Sequence, residues 1–409
     1  MSAGVWELLD LVARWVHVIA GIMWIGNSLL FNWLDRNLRP TAANGPSKPI
    51  GTIWLLHSGA FYYVEKTLLD GQTLPRPLHW FKWQAYSTWL SGMVLLLVVY
   101  YLSDRAVLAD PSVANLSHGA AVLVGLGSIV GGWIVYESMQ RFVAPRTPGV
   151  AAAIWIVLLV AIIVALTQLL SGRAAFLHVG AMLGTIMAGN VFFTIVPSQR
   201  ALVASIGVDA PASAALSARA KRVSIYNNYV TFPVIALMVS NHFPTMYGHR
   251  WNWLLLLAII AAGAAVRHVL NVRFNNPRWK AHLAATMTVS VAVLYVILAL
   301  PGRASTSASS ESSAAVAAVA TQAITFADAR HVIDRRCAVC HSVQPVDLAF
   351  SAAPAGVTFD TPDQIVARAA RIQERAVVTR TMPPANKTHI TDVERAILRR
   401  WIELGATTK

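Results

Sequence analysis

Two cysteines and a histidine near the C-terminal end form the most specific chemical pattern in the chain. The segment reads Cys337-Ala338-Val339-Cys340-His341, and the 409 residues contain no other cysteine. This spacing is typical of c-type haem attachment, in which both thiols bond the haem vinyl groups and the adjacent histidine ligates the iron. We therefore expect Cys337 and Cys340 to hold one covalent haem c and His341 to be an axial ligand.

A second axial ligand is expected from a loop further along the chain. The segment 381–384 reads Thr-Met-Pro-Pro, and Met382 lies between stretches with helical patterns. Met/His ligation raises the reduction potential of a haem and suits an electron acceptor. Two other interpretations of the cysteines are weaker. A zinc site needs about four ligands, and only His331 and His389 lie nearby. A redox-active CxxC needs a thioredoxin-like βαβ setting, which the sequence lacks.

The composition of the chain as a whole is that of a membrane protein. Hydrophobic residues make up 56% and charged residues 13%, whereas soluble domains carry about a quarter charged residues. The mean hydropathy is +0.53 and the formal charge is +14. These values exclude a soluble enzyme. The basic residues lie between apolar stretches and not on one basic face, so nucleic acid is not an expected partner.

Eight apolar stretches approach the length of about 20 residues that a bilayer requires. They run from Val5 to Leu30, Thr88 to Leu102, Gly119 to Tyr136, Val150 to Leu170, Ala174 to Val196, Tyr226 to Tyr247, Trp251 to Leu270 and Ala281 to Leu300. The predicted fold class is all-α: a polytopic transmembrane helical bundle of about eight spans, followed by a small soluble class I-like cytochrome c domain.

Lys and Arg residues in the loops predict the orientation of the spans. Sixteen of them lie in or beside the loops after spans one, three, five and seven, against three in the other loops. The positive-inside rule makes the first set cytoplasmic. The N-terminus lacks the features of a cleaved signal peptide, so the first span is expected to be retained. In a bacterial inner membrane, the N-terminus and the residues after Leu300 would then be periplasmic.

The composition changes abruptly after Leu300. Residues 301–322 consist almost wholly of small residues, which predicts a flexible linker between a membrane domain at 1–300 and a cytochrome c domain at 323–409. The last segment has the charge balance of a soluble domain, with 12 basic and 9 acidic residues.

Histidines in or beside the spans are candidates for function because a polar group in a bilayer is costly. His17 lies deep in the first span, on one helical face with Arg14, and we expect a role for this pair. His118, His178 and His242 lie near the outer boundary. One interpretation is that such histidines ligate b-type haems. The alternative is that boundary histidines anchor the helices at the lipid headgroups.

Two further stretches combine polar groups with aromatic ones. The first comprises His57 to Lys66 and His79 to Trp89, in the first cytoplasmic loop. An interfacial aromatic belt would explain its rings but not its interleaved His, Glu and Lys residues. The second is Tyr226 to Pro233, whose amides could bind a planar polar ligand or satisfy the backbone carbonyls that Pro233 frees.

The arrangement of these features resembles the membrane-bound, cytochrome c-fused urate oxidase (urate hydroxylase) family of bacteria. The features are the HVxAGxMWxGN pattern at His17 to Asn27, the two loop blocks, NNYxTFPV from Asn227, Ser240-Asn241-His242 and the trailing CxxCH segment. The resemblance implies oxidation of urate to 5-hydroxyisourate, with water as the oxygen source and electrons passed to the fused cytochrome. The chain departs from the family pattern at Ser58-Gly59-Ala60, where a more Gly-rich stretch is expected.

Urate is a planar anion rich in donors and acceptors, so its site should offer a cation, amides and aromatic faces. The candidates on the cytoplasmic side are His57, Lys82, Asn227 and Asn228, with a histidine as general base. About 30 Å of hydrocarbon would separate this site from an outer haem c, which raises the need for a relay such as haem b. Otherwise urate would bind from the outer side, near His118, His178 and His242.

The expected final acceptor is a component of the respiratory chain, a soluble cytochrome c or a terminal oxidase, and the expected surroundings are membrane lipid. Two other functional classes remain open from the sequence. The chain could be a quinol-oxidising cytochrome b/c protein whose polar loops are structural. It could also be a non-catalytic haem-binding membrane module.

Overall fold

The computed structural model describes residues 3–40, 48–68, 77–102, 108–111, 113–206, 214–300, 310–347 and 352–408, and these are mostly helical. The helices and strands in chain order are α1 (Ala3–Asn37), β1 (Lys48–His57), β2 (Ala60–Leu68), α2 (Lys82–Leu96), α3 (His118–Ser138), α4 (Pro148–Leu169), α5 (Gly172–Asn190), α6 (Val196–Ala204), α7 (Ala214–Val239), α8 (Pro244–Tyr247), α9 (Asn252–Val272), α10 (Trp279–Ala299), α11 (Ser310–Thr321), α12 (Phe326–Arg336), α13 (Pro362–Val366), α14 (Ala369–Ile372) and α15 (Asp392–Glu403). Short π-helical turns extend α2 (Leu97–Tyr101), α3 (Met139–Val143), α5 (Val191–Ile195) and α14 (Gln373–Val378).

Seven helices within the described residues are long and apolar enough to cross a membrane. They are Val5–Asn37, His118–Val143, Pro148–Leu169, Gly172–Ala204, Ala215–His242, Asn252–Asn275 and Trp279–Ala299. The remaining predicted span, Thr88 to Leu102, lies on α2 and its π-helical turn. This helix is not among the seven candidate spans. Polar residues in the first half of α2, such as Gln84 and Ser91, lower its hydropathy. The chain is therefore a multi-pass helical protein with seven candidate spans.

Helix α5 lies at the centre of the membrane bundle, packed between α3 and α7. More than half of its apolar window is buried, whereas almost all of the corresponding window of α10 faces outward. Glycines allow this close packing. A Cβ atom on Gly132 of α3 would lie 2.4 Å from the sulfur of Met182, and one on Gly189 of α5 would lie 2.4 Å from Nε1 of Trp133. Small residues serve membrane helices in this way because they let the backbones approach.

An antiparallel hairpin of β1 and β2 connects α1 to the residues before α2, so the all-α prediction is wrong for this segment. Aromatic and β-branched residues favour strands, and Trp54 packs against Tyr63 across the hairpin with ring centroids 4.9 Å apart. The turn residues Ser58 and Gly59 have φ angles of 52° and 75°. A type I′ hairpin turn requires two consecutive residues with positive φ. In this turn only one of the two residues is a glycine.

The predicted linker is helical in its second half, where α11 packs against α15. The run of Ala and Val residues at 314–320 explains the difference, because alanine has the highest helix propensity. Residues 301–309 of the predicted linker lie outside the described residues.

The residues after α11 build a separate helical core around Ile333, Leu398 and Trp401. Its helices α12, α13 and α15 each begin at a capping box, in which a threonine and the third residue of the helix satisfy one another's backbone N–H groups. These caps fix where the helices start, although the helices themselves are short.

The contact between α5 and α8 generates a first prediction. A Cβ atom on Gly172 would lie 2.0 Å from the backbone carbonyl oxygen of Tyr247, so Gly172→Ala requires a backbone shift. We expect this change to destabilise the protein by about 1–3 kcal/mol, as overpacking commonly does. The measurement is the midpoint of thermal unfolding in detergent. Gly184→Ala on the same helix is the control, because no atom lies within 4 Å of the added Cβ; equal midpoints for the two variants would contradict the prediction.

Candidate functional site

Two adjoining cavities form a groove at the ends of the helices that the loop charges predict to be cytoplasmic. The larger has a volume of about 360 Å³ and the smaller about 150 Å³. Trp24, Ser28, Val191 and Ile195 line both cavities, so α1 and the π-helical turn after α5 form their common wall. The polar residues that line the groove are Asn27, Ser28, His79, Lys82, Gln84, Gln199, Ser224, Asn227 and Thr231. The groove is of the size and mixed polarity expected of a small-molecule site.

The wall that α1 contributes follows from helical periodicity. Trp24, Asn27, Ser28 and Phe31 are spaced at i, i+3, i+4 and i+7, so they lie on one face of the helix. Helix α1 packs along α2, and this face of α1 opens into the groove. The pattern therefore places two aromatic and two polar side chains in one row along the groove.

Lys82 is the cation of the groove, and it lies in an unfavourable position for a cation. It is the first residue of α2, where the helix dipole is positive and favours an anion. Its ammonium group lies 5.8 Å from the ring of Trp80 and 5.9 Å from that of Trp83. No carboxylate in the described part of the chain pairs with it. A bound anion would find both the ammonium charge and the positive end of α2.

Asn227 and Asn228 are adjacent in the sequence but serve different contacts. Asn227 lines the smaller cavity; its Oδ1 accepts a bond of 2.8 Å from Asn190, and its Nδ2 donates to the carbonyl of Met187 at 3.0 Å. These bonds hold the Asn227 amide against α5.

Asn228 points to α9. Its Oδ1 accepts bonds from Nε of Arg267 at 3.1 Å and from Nδ2 of Asn271 at 2.6 Å. Successive residues of a helix are rotated by about 100°, which explains why only Asn227 reaches the groove. Asn228 instead joins two helices.

The two histidines of the loop blocks are also separated. His57 is exposed at the end of β1, beside the hairpin turn, and does not line the groove. His79 lines the larger cavity, and its ring lies 4.7 Å from that of Phe81. Among the described residues, His79 is therefore the histidine of the groove. Its position three residues before Lys82, just ahead of α2, was the available sequence signal.

The membrane histidines have protein partners on their ring nitrogens. Nδ1 of His17 lies 3.0 Å from the carbonyl of Thr88 and 3.2 Å from Oγ of Ser91. Its ring packs so closely on α2 that a Cβ atom on Gly92 would lie 2.9 Å from it. Arg14, one turn before His17, is paired with Asp10 at 2.6 Å; the role expected of Arg14 and His17 stays a prediction.

Two of the histidines predicted near the outer boundary, His118 and His178, contact the same tyrosine. Nε2 of His178 lies 2.9 Å from the hydroxyl of Tyr101, and its Nδ1 lies 2.7 Å from the carbonyl of Ala174. Nε2 of His118 lies 3.0 Å from the backbone carbonyl of Tyr101. His242 is exposed in the 3₁₀ turn after α7.

The cysteine segment of the C-terminal domain continues from the end of α12. The backbone N–H of His341 donates to the carbonyl of Cys337 at 2.9 Å, and both cysteines are free thiols. Nδ1 of His341 lies 3.0 Å from the carbonyl of Val357, which leaves Nε2 available to a metal. Burial lowers the pKa of His341, so its neutral form is favoured. Burial also raises the pKa of the Cys337 thiol to about 12 and, together with Asp347, that of Cys340 to about 11.

Met382 is held by backbone contacts on both sides. Its N–H donates to the carbonyl of Arg375 at 3.0 Å, and its carbonyl accepts a bond of 3.0 Å from Arg395. The preceding turn touches the membrane bundle: a Cβ atom on Gly248 would lie 2.5 Å from Cγ2 of Thr381 and 3.1 Å from the carbonyl of Thr379. The residue before the expected ligand thus lies against the loop between α8 and α9.

Comparison with known families decides the assignment of the membrane part. Residues 3–299 match the family model described as urate oxidase N-terminal. The chain belongs to this urate oxidase family. The family indicates an oxidoreductase that acts on urate, and the match ends where α10 ends, so it contains the groove and not the Cys337–His341 segment. No match was found among curated proteins, and none among solved structures.

Within this urate oxidase region, Asn228 provides a prediction that separates structure from binding. Asn228→Ala leaves the guanidinium of Arg267, which is 4% exposed, without its partner. We expect a loss of about 1–3 kcal/mol in stability, the cost of an unsatisfied buried group, and little change in ligand affinity. Thermal unfolding in detergent and equilibrium binding of urate measure the two effects. A large loss of affinity with unchanged stability would place Asn228 in the binding site instead.

Proposed function

We propose that the protein oxidises urate to 5-hydroxyisourate in the groove and passes the electrons to a haem c held by its C-terminal domain, and from there to a respiratory-chain acceptor. The observation that carries this proposal is Lys82, a cation with no carboxylate partner among the described residues, which lies among aromatic rings and amides inside the region that matches the urate oxidase family. A soluble cytochrome c or a terminal oxidase would be the next acceptor.

The groove offers what the urate monoanion needs. The ammonium of Lys82 and the N-terminus of α2 would stabilise its charge. The rings of Trp24 and Trp80 provide flat apolar faces, and the amides of Asn27 and Gln199 can donate to carbonyl oxygens or accept from ring N–H groups. The cation, the aromatic rings and the amides each match one property of a planar, charged and polar heterocycle. The groove therefore has the chemistry expected of a purine-binding site.

The reaction requires water, a base and an electron acceptor. Urate and one water molecule yield 5-hydroxyisourate, two protons and two electrons. His79 lines the same cavity as Lys82 and is the residue that would take a proton from the attacking water or from urate. A haem c accepts one electron at a time when bound, so two transfers complete one turnover.

The residues at the C-terminal site fit a haem c. Nε2 of His341 is available, the backbone of Met382 is fixed, and the thiols are free. The high pKa values of the thiols argue against a redox-active CxxC, which needs a thiolate. Among the described residues, no group of three His, Cys, Asp or Glu side chains is placed to hold a metal ion, so the zinc interpretation lacks a ligand set.

The membrane histidines fit a haem b less well. Both ring nitrogens of His178 are already bonded, and the ring of His17 is packed against α2. Ligation by either residue would require these contacts to break. The haem b assignment of His17, His118, His178 and His242 stays a prediction, and no step of the proposed reaction depends on it.

We further propose that α2 is the eighth span. Together with its π-helical turn it covers Lys82–Tyr101, about 30 Å at 1.5 Å per residue, which matches the hydrocarbon thickness of a bilayer. It packs along α1, a candidate span itself. Eight spans and the loop charges support a bacterial inner-membrane protein whose groove faces the cytoplasm and whose C-terminal domain is periplasmic.

Anaerobic addition of urate to the full-length oxidised protein tests the function directly. We expect the haem absorbance to change to that of the reduced form, with 5-hydroxyisourate formed at half the amount of haem reduced. Pyridine haemochrome spectra of the same sample identify which haem types are present. Reduction by a quinol but not by urate would indicate a quinol-oxidising protein, and reduction by neither would indicate a non-catalytic haem-binding module; either outcome would contradict the proposal.

Replacement of Lys82 tests the binding mode. Lys82→Gln removes the charge that balances urate, and we expect about a tenfold weaker affinity, which corresponds to about 1.4 kcal/mol. The dissociation constant for urate is measured on protein with full haem content. Lys280→Gln is the matched control, because Lys280 also lies beside a tryptophan at the start of a helix but does not line the groove. Equal losses in the two variants would show that Lys82 acts only through the general surface charge.

A further inference from the structure

One arginine of the C-terminal domain is buried and forms no ion pair among the described residues. Arg395, near the start of α15, is 6% exposed. The ion pairs of this domain belong to other cations, namely Arg330, Arg336, Arg380, Lys387 and Arg400. Burial lowers the pKa of Arg395 to about 10, so its guanidinium is still charged near neutral pH. A buried charge is costly unless hydrogen bonds compensate it, so the acceptors of Arg395 indicate its role.

The acceptors of Arg395 surround one loop, residues 379–383, which we call the Met382 loop. Nη1 donates to the carbonyl of Ala376 and, at 3.0 Å, to the carbonyl of Met382. Nη2 donates to Oδ1 of Asn386 at 3.4 Å. Ala376 lies in the π-helical turn before the loop, and Asn386 lies in the 3₁₀ turn after it. One guanidinium therefore joins both flanks of the loop to Met382.

The bond from Arg395 completes the backbone contacts of Met382. The N–H of Met382 donates to the carbonyl of Arg375 at 3.0 Å, and its carbonyl accepts from Arg395. The peptide groups on either side of a Cα atom determine the direction of its Cα–Cβ bond. Because both peptide groups of Met382 are held, the direction in which its side chain leaves the backbone is set, and Arg395 sets half of it.

A methionine ligand depends on such support more than a histidine ligand does. A thioether is a neutral and weak donor, so a loop that moves lets other ligands displace it from the iron. Groups that orient a metal ligand without touching the metal affect metal sites strongly for this reason. The contacts of Arg395 are of this kind, because they fix the backbone that carries the thioether.

We propose that Arg395 is a positioning residue for the methionine ligand of the haem c: its guanidinium holds the Met382 loop in the conformation that keeps the thioether on the iron. This inference rests on the haem c of the proposed function. It concerns the ligand of the electron acceptor and not the binding of urate. Removal of the Arg395 bonds should therefore open the iron to added ligands while the urate groove is unchanged.

A purely structural role is the competing explanation. The bonds of Arg395 would then stabilise the packing of the C-terminal domain, as other buried hydrogen bonds do, without a particular effect on the methionine. Any variant that lowers the unfolding midpoint of the domain by the same amount would then loosen the ligand equally. The proposal instead requires an effect that is specific to Arg395.

Titration of the full-length ferric protein with imidazole measures how firmly the methionine is bound, because imidazole competes with it for the iron. In Arg395→Gln we expect the dissociation constant for imidazole, followed by the c-haem absorbance, to fall at least about tenfold, the ratio that one hydrogen bond to a charged group contributes. The near-infrared charge-transfer band of a methionine-ligated ferric haem should weaken in the same variant.

Two control variants separate charge and stability from the proposed role. Arg380→Gln removes the same charge from the Met382 loop, but Arg380 pairs with Asp392 at 2.9 Å and is 44% exposed. Trp401→Phe disturbs the domain core near the other end of α15, where the buried indole donates to the carbonyl of Thr407 at 3.0 Å. Both controls should bind imidazole as the unaltered protein does, although Trp401→Phe should unfold at a lower temperature.

The reduction potential and a conservative variant provide further readouts. Loss of methionine ligation lowers the potential of a haem, so the potential should fall further in Arg395→Gln than in Arg380→Gln, which loses the same charge. Arg395→Lys keeps the charge but not the planar fork of donors, so we expect an intermediate imidazole affinity. Should Arg395→Gln fail to fold, Arg395→Lys decides in its place, and an unchanged affinity in it would overturn the proposal.

The outcomes distinguish this role from the proposed function. An unchanged imidazole affinity in Arg395→Gln, or an equal gain in Arg380→Gln or Trp401→Phe, would overturn the role of Arg395 and leave the urate oxidation intact. Failure of urate to reduce the haem of the unaltered protein would refute the proposed function alone, because the imidazole titration uses no urate. Absence of c-type haem from the pyridine haemochrome spectrum would refute both.

Discussion

A polar side chain buried between membrane helices can be satisfied only within the protein, because lipid offers no partner, and a side-chain amide satisfied on another helix joins the two helices. This constraint fixes how the bundle is assembled. Asn190 at the end of α5 donates to both Tyr136 of α3 and Asn227 of α7, so one amide sets the relative positions of three helices. Asn228 does the same between α7 and α9. The groove exists where these bonds place α1, α2, α5 and α7 around a common space.

The same constraint makes an unpaired group informative. Arg14, Arg219 and Arg267 all have acidic or amide partners, as charges near a membrane require. Lys82 differs, since it has aromatic neighbours and a helix N-terminus but no carboxylate within the described residues. A cation kept in such a position is poorly placed for stability and well placed for an anionic ligand. The family suggests urate as the anion, and this is the ligand that we propose for the groove.

Periodicity and composition were sufficient to predict the helical membrane domain, seven of its spans and the separate C-terminal core. They were not sufficient for the hairpin, because apolar residues in a loop between spans look like an interfacial belt whether or not they pair as strands. Nor could they separate Asn227 from Asn228, since the roles depend on which neighbouring helix each amide faces. His79 was missed as a candidate because its significance comes from the cavity that it lines together with Lys82, and no local pattern shows that cavity.

The proposed arrangement gives the membrane potential a part in the reaction. In that arrangement the two protons of each turnover would be released at the groove, on the cytoplasmic side, while the electrons would leave for a periplasmic domain. A bacterial membrane is negative inside, so an electron that moves outward reaches a more positive potential and releases about 2.3 kcal/mol per 100 mV. Oxidation of urate inside would then be drawn forward by the potential, provided that the path from the groove to the C-terminal domain carries electrons and excludes protons.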